Sequence, residues 1–132
     1  MCIYTLLPLL PQVRYANALA PTNQTLFDAC DGLFTNYWWG ARELAASAEL
    51  ALASGSRDRR HDVYMGVDVF GRNTRYAAGL GCAPACRAAR EHALSLALFA
   101  PGWSFESAGC DTREADRRFW DQLRVRRLFR GD

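Results

Sequence analysis

Three largely apolar runs, each followed by a stretch of helical spacing, restrict this chain to parallel strand–helix units. The runs occupy residues 32–39, 63–70 and 94–100, and none shows the strict apolar–polar alternation of a half-exposed antiparallel strand. Strands of this composition are expected to be buried on both faces, as in a parallel sheet. Behind the first run, Ala41, Leu44, Ala45, Ala48 and Leu52 recur at helical spacing until Gly55. Behind the second, a helix is expected from Pro84, because proline suits the first helical turn. Pro101-Gly102 closes the third run, and a helix from near Asp111 or Thr112 would turn Phe119, Trp120 and Leu123 inward. A short helix over residues 22–29, with Leu26 and Phe27 inward, completes an αβαβαβα order. Three consecutive units of this kind suit part of a barrel. No Gly-x-Gly-x-x-Gly and no P-loop supports a nucleotide-binding layout.

Composition removes several function classes. All 16 basic residues are Arg, but 14 carboxylates leave a net charge of only +2, too little field for nucleic-acid binding. The one basic cluster, Arg124, Arg126, Arg127 and Arg130, reads as a solvated tail. Five cysteines, an odd number at low density, point to a reducing compartment and hence the cytosol. Residues 1–11 are apolar but lack a basic leader and carry Pro8 and Pro11, so they read neither as a signal peptide nor as a membrane span. An apolar start without a polar leader is also what a truncated gene would give.

In parallel α/β barrels the chemistry lies at the C-terminal strand ends. Those ends carry Asn36, Tyr37, Trp38 and Trp39 after the first run, Asp68 in the second, and Trp103, Phe105 and Glu106 after the third. Aromatics at such a mouth form a platform for sugar rings. Adjacent residues of an extended strand face opposite ways, so only one of Trp38 and Trp39 lines the mouth. Asp68, between Val67 and Val69, requires a partner or a wet mouth; it is either a site residue or the partner of an arginine. Cys82, Cys86 and His92 do not make a metal site, since a lone C-x3-C lacks its second pair, and they read as helix-face thiols beside a histidine. His61 reads as a solvated loop residue, and Ser104 and Ser107 lack a nucleophile-elbow context. No cofactor is implied.

Three strings, at residues 30–37, 62–72 and 97–103, occur in the order and at the spacing of successive signature blocks of glycoside hydrolase family 85, which this chain resembles over residues 13–123. The resemblance implies a partial (β/α)8 barrel comprising strands six to eight. Residues 1–12 would then be a divergent or truncated N-terminal segment and residues 124–132 an Arg-rich tail. It also implies an endo-β-N-acetylglucosaminidase parent that cleaves the chitobiose core of N-glycans with retention, the substrate's own 2-acetamido group acting as nucleophile. The substrate-binding set it implies is Tyr15, Asn36, Tyr37, Trp38, Trp39, Asp68, Trp103, Phe105 and Glu106, with an N-glycan or free oligosaccharide as partner.

The family places its general acid and its acetamide-orienting residue in an Asn-x-Glu motif on an earlier strand. Here Asn17, Asn23, Asn36 and Asn73 are followed at that distance by Leu19, Thr25, Trp38 and Arg75, so no catalytic pair is present. The family's preceding strand carries a Trp-Tyr-Asp string; Tyr4 falls at its tyrosine, with Ile3 and Thr5 as departures. The expected function is therefore that of an inactive part of such an enzyme. The alternatives are a catalytically dead glycan-binding module and, remotely, a two-carboxylate glycosidase using Asp68 and Glu106. Three barrel strands alone leave two open edges and an uncovered face, so the isolated chain is expected to associate and to lack a sharp thermal transition.

Overall fold

The computed structural model describes residues 2–4, 15–72, 74–107 and 112–123. Among the described residues four strands, β1 (Cys2–Tyr4), β2 (Gly32–Phe34), β3 (Val63–Asp68) and β4 (Ser95–Phe99), form one parallel sheet in the order β1-β2-β3-β4. Five helices accompany them: α1 (Gln24–Asp28), α2 (Ala41–Ala53), α3 (Ala83–Glu91), α4 (Trp103–Ser107) and α5 (Thr112–Leu123). The sequence-based count of three strands is thus one short. Three residues ahead of two prolines leave no readable period, yet β1 pairs with β2 in register, Tyr4 opposite Phe34. The basic tail lies outside the described residues.

Side chains alternate across a strand, so the two faces of the sheet differ. Leu33, Val63, Met65 and Val67 point toward the helices and are buried there with Leu44, Ala51, Ala85, Cys86, Ala89, Phe119 and Leu123. The opposite face carries Phe34, Tyr64, Ala97 and Phe99, which are half-buried or exposed. The expectation of strands buried on both faces therefore holds for β3 and fails for β4, every residue of which is partly exposed. The reason is position: β4 ends the sheet and has a neighbour on one side only. Exposure confined to one face and two edges leaves the helix-side core intact. In contrast to the expectation from three open strands alone, we therefore expect the chain to unfold as a unit in dilute solution, and still to associate as its concentration rises.

Three residues expected to face inward do not. Leu52 is 54% exposed because the buried stripe of α2 runs through Leu44, Ser47 and Ala51. Ser47 occupies an inward position because its hydroxyl donates to the Glu43 carbonyl (2.7 Å) and accepts from the Leu19 amide (3.0 Å), a role that apolar periodicity does not reveal. Leu26 is exposed while Phe27 alone anchors the five-residue α1. Trp120 is 38% exposed and donates its indole N–H to Asp116 at 3.2 Å, beside a groove of about 410 Å³ that opens along β4.

The N-terminal end of the sheet is held by Arg59, which is only 8% exposed. Its guanidinium donates to the carbonyls of Phe27 (3.0 Å) and Cys30 (2.6 Å), tying down the turn that follows α1, and lies 4.0 Å from the Phe27 ring centroid. Asp62 accepts its Nε–H at 2.9 Å and completes the pairing. At the opposite end, Gly79 adopts a left-handed φ of +54°, and a Cβ there would lie 2.2 Å from the Trp103 ring. Gly79→Ala is expected to cost about 1–2 kcal/mol for the backbone and about 1–3 kcal/mol for overpacking. Gly55→Ala, at a φ of +76° with open space around it, incurs only the first cost. Urea midpoints of the two variants at one protein concentration check this difference.

Candidate functional site

The residues that leave β2, β3 and β4 at their C-terminal ends form the candidate site. After β2 the chain turns outward, and Asn17 organises the turn: its Oδ1 accepts from the Asn36 side chain and from the Trp38 amide, both at 3.2 Å. The Asn36 amide in turn donates to the Ala16 carbonyl at 2.7 Å. The segment bearing Tyr15 is thereby tied beside Asn36, Tyr37 and Trp38. Tyr15 is 60% exposed and Trp38 56% exposed, so both present ring surface to solvent.

Trp39 does not belong to this surface. It is 1% exposed, its indole N–H donates to the Gly66 carbonyl at 2.6 Å, and its ring packs 5.0 Å from that of Tyr76. Of the adjacent pair, Trp39 is core and Trp38 is free to face a ligand. The sequence argument of strand alternation reached the right division by an inexact route, since β2 ends at Phe34, before either tryptophan.

Across the mouth, Tyr37 packs against Phe34 (6.4 Å) and Phe99 (5.5 Å), joining the ends of β2 and β4. Asp68 closes β3 and is 4% exposed. Its carboxylate accepts from the Phe70 amide (3.1 Å), the Arg72 amide (3.3 Å), Arg72 Nε (2.9 Å) and Arg72 Nη2 (3.1 Å). Arg72 is brought back onto Asp68 by the turn at Gly71, whose φ is +67° and whose amide donates to the Asp68 carbonyl. Sequence reading left Arg72 out of the site, because a spacing of four across a glycine turn carries no helical periodicity.

Burial pushes the Asp68 carboxyl upward, but the Arg72 and backbone hydrogen bonds outweigh it and hold the group below the usual carboxylate range. A depressed folded-state value means stability that is fully present above the unfolded value of about 3.9 and is lost as pH falls through the folded value. Arg72→Met removes the downward pull and leaves the burial. The acid limb of the stability profile should therefore move to higher pH, as read from urea midpoints between about pH 3 and pH 6. An unchanged acid limb would show that Arg72 does not hold Asp68.

After β4, α4 carries Trp103, Phe105 and Glu106. Phe105 is 61% exposed and Glu106 is exposed, near enough to Arg72 to act on its charge. Trp103 is half-buried against Gly79 and the helix-side core, so only part of its ring is available. Ser104 is buried and donates to Asp116 at 2.8 Å, a structural role. Cys82 and Cys86 are buried thiols; burial above all, with Cys86 and Asp68 adding, pushes Cys82 up to about 11. Such thiols are unreactive, and among the described residues no cluster of metal-ligating side chains occurs. No helix among the described residues is long and apolar enough to cross a membrane.

A family model described as glycosyl hydrolase family 85 matches residues 8–129. The chain belongs to this family. Its curated relatives include the cytosolic endo-beta-N-acetylglucosaminidase of Gallus gallus, 42% identical over 84% of this family 85 chain and 15% of the relative. Cytosolic endo-beta-N-acetylglucosaminidase 1 of Arabidopsis thaliana is 41% identical over 82% of the chain and 15% of its own length. The Homo sapiens enzyme of the same name as the avian one is 35% identical over 85% and 14%. The family 85 chain thus spans about 15% of the length of the curated relatives it matches. No solved structure matches it.

Proposed function

We propose that this chain forms the glycan-facing part of a family 85 endo-β-N-acetylglucosaminidase barrel. The parent hydrolyses the chitobiose core of N-glycans by the retaining, substrate-assisted route, and this chain is inactive alone. In this reading β2, β3 and β4 are barrel strands six, seven and eight, β1 is strand five, and residues 13–123 belong to the barrel. The cytosol is its compartment, in keeping with the names of the relatives and with free thiols at Cys30, Cys82 and Cys86.

The observation that carries the reading is the solvent-facing ring surface of Tyr15, Trp38, Phe99 and Phe105 at the strand ends, in a chain with no Asn-x-Glu. Tyr37, Asn36, Trp103 and Glu106 complete the contact set. Trp39 is withdrawn from it, because its ring is core. The two-carboxylate glycosidase is disfavoured because Asp68, with every acceptor direction occupied, has no lone pair for an anomeric carbon. The partial exposure of β4 along its whole length likewise disfavours a self-standing binding module. Titration of the chain with N,N′-diacetylchitobiose, followed by tryptophan fluorescence, tests the reading. Trp38→Ala should weaken binding roughly two- to tenfold, the worth of one stacked ring; equal affinity would remove Trp38 from the surface.

A further inference from the structure

We propose that Arg72, positioned by Asp68, is the glycan-contacting group at the end of β3, and that it recognises hydroxyls of an uncharged sugar rather than an anion. This rests on the glycan-binding reading above. The argument begins with Asp68, which sequence reasoning placed in the substrate set. Its carboxylate is 4% exposed and already accepts four hydrogen bonds, so it has neither the access nor the free lone pair to meet a ligand. What it does is hold a guanidinium.

Arg72 is 59% exposed. It gives Nε–H and one Nη2–H to Asp68, which leaves three N–H donors of its planar fork outside the pair. The fork lies near two aromatic rings, with Cζ 5.1 Å from the Phe70 centroid and 5.9 Å from that of Phe99. Two hydrogen bonds and flanking rings immobilise a side chain that would otherwise lose much rotamer freedom on binding, so the remaining donors are preorganised. They stand beside the 46%-exposed Phe99, whose ring offers the apolar half of a pyranose contact.

Charge decides the ligand class. Asp68 neutralises the guanidinium at contact distance, and Glu106 adds a second carboxylate to its field. The site therefore offers directional donors with no net positive charge. Such a site suits vicinal hydroxyl or acetamide oxygens and gives little to a carboxylate or phosphate, which would meet Asp68 and Glu106 as like charges.

Titrating the full chain at low concentration with N,N′-diacetylchitobiose, while recording the Arg72 side-chain N–H resonances, tests this. The expected results are a shift of those resonances on binding and about a five- to tenfold weaker affinity for Arg72→Met with unchanged circular dichroism. Arg72→Lys should fail to restore affinity, because a point charge does not reproduce the fork. Asp68→Asn should weaken binding and broaden the Arg72 resonances together, the mark of a positioning residue. Affinity should hold between about 50 and 300 mM salt. Wild-type affinity in Arg72→Met, or a loss confined to Asp68→Asn with Arg72 resonances unmoved, overturns the assignment. A steep loss of affinity with salt overturns the uncharged-ligand part. If the unaltered chain binds no sugar, the glycan-binding reading falls and this inference with it.

Discussion

Trp39→Ala should leave the chain unfolded in buffer, whereas Trp38→Ala, one residue away, should fold as the parent does. Trp39 is 1% exposed and fills space between the sheet and Tyr76. Truncating such a residue removes its burial and leaves a cavity, together about 3–5 kcal/mol. The Gly66 carbonyl, which accepts the indole N–H inside the core, then loses its side-chain partner, adding about 1–3 kcal/mol where no water enters. The sum rivals the stability of a typical domain, about 5–15 kcal/mol, and β4 at the edge of the sheet is already partly exposed along its length. Trp38 is 56% exposed, and exposed substitutions stay within about 0.5 kcal/mol. Trp39→Phe should recover most of the packing and none of the hydrogen bond. Circular dichroism and urea midpoints at one concentration read all three. A folded Trp39→Ala would show that the ring is not part of the core.

How much of this was legible in the sequence depended on which force placed each residue. Burial by periodicity was readable: Leu44, Phe27, Phe119, Leu123 and the whole of β3 fell where apolar spacing put them. Placement by hydrogen bonding was not. Ser47 sits in the core because two backbone groups satisfy its hydroxyl, and Arg59 is buried because its guanidinium donates to the carbonyls of Phe27 and Cys30 around the end of α1. Both look like surface residues to a hydropathy argument, and Leu52 was misplaced as a consequence.

The site shows the same division. The strand-end aromatics were visible as a group, because barrel topology says where strand ends go. Which arginine pairs with Asp68 was not visible, because the pairing with Arg72 depends on the turn at Gly71 folding the arginine back. The fourth strand, β1, was hidden for a third reason: three residues carry too little pattern to be told from a loop, and only pairing with β2 defines them.

The central claim is that this chain supplies binding surface and no catalytic pair, and hydrolysis of a chitobiose-core glycopeptide tests it most directly. A positioned general acid alone accounts for about 10²–10⁴-fold of rate, and loss of the acetamide-orienting asparagine compounds it. The purified 132-residue chain should therefore run at least about four orders of magnitude below an intact family enzyme. Joining residues 13–123 to the preceding barrel segment of a relative, with its Asn-x-Glu, should bring turnover into a measurable range. That turnover should vanish when the relative's glutamate is changed to glutamine. Turnover by the chain alone in a preparation free of other glycosidases, whether or not it survives Asp68→Asn and Glu106→Gln, would contradict the account.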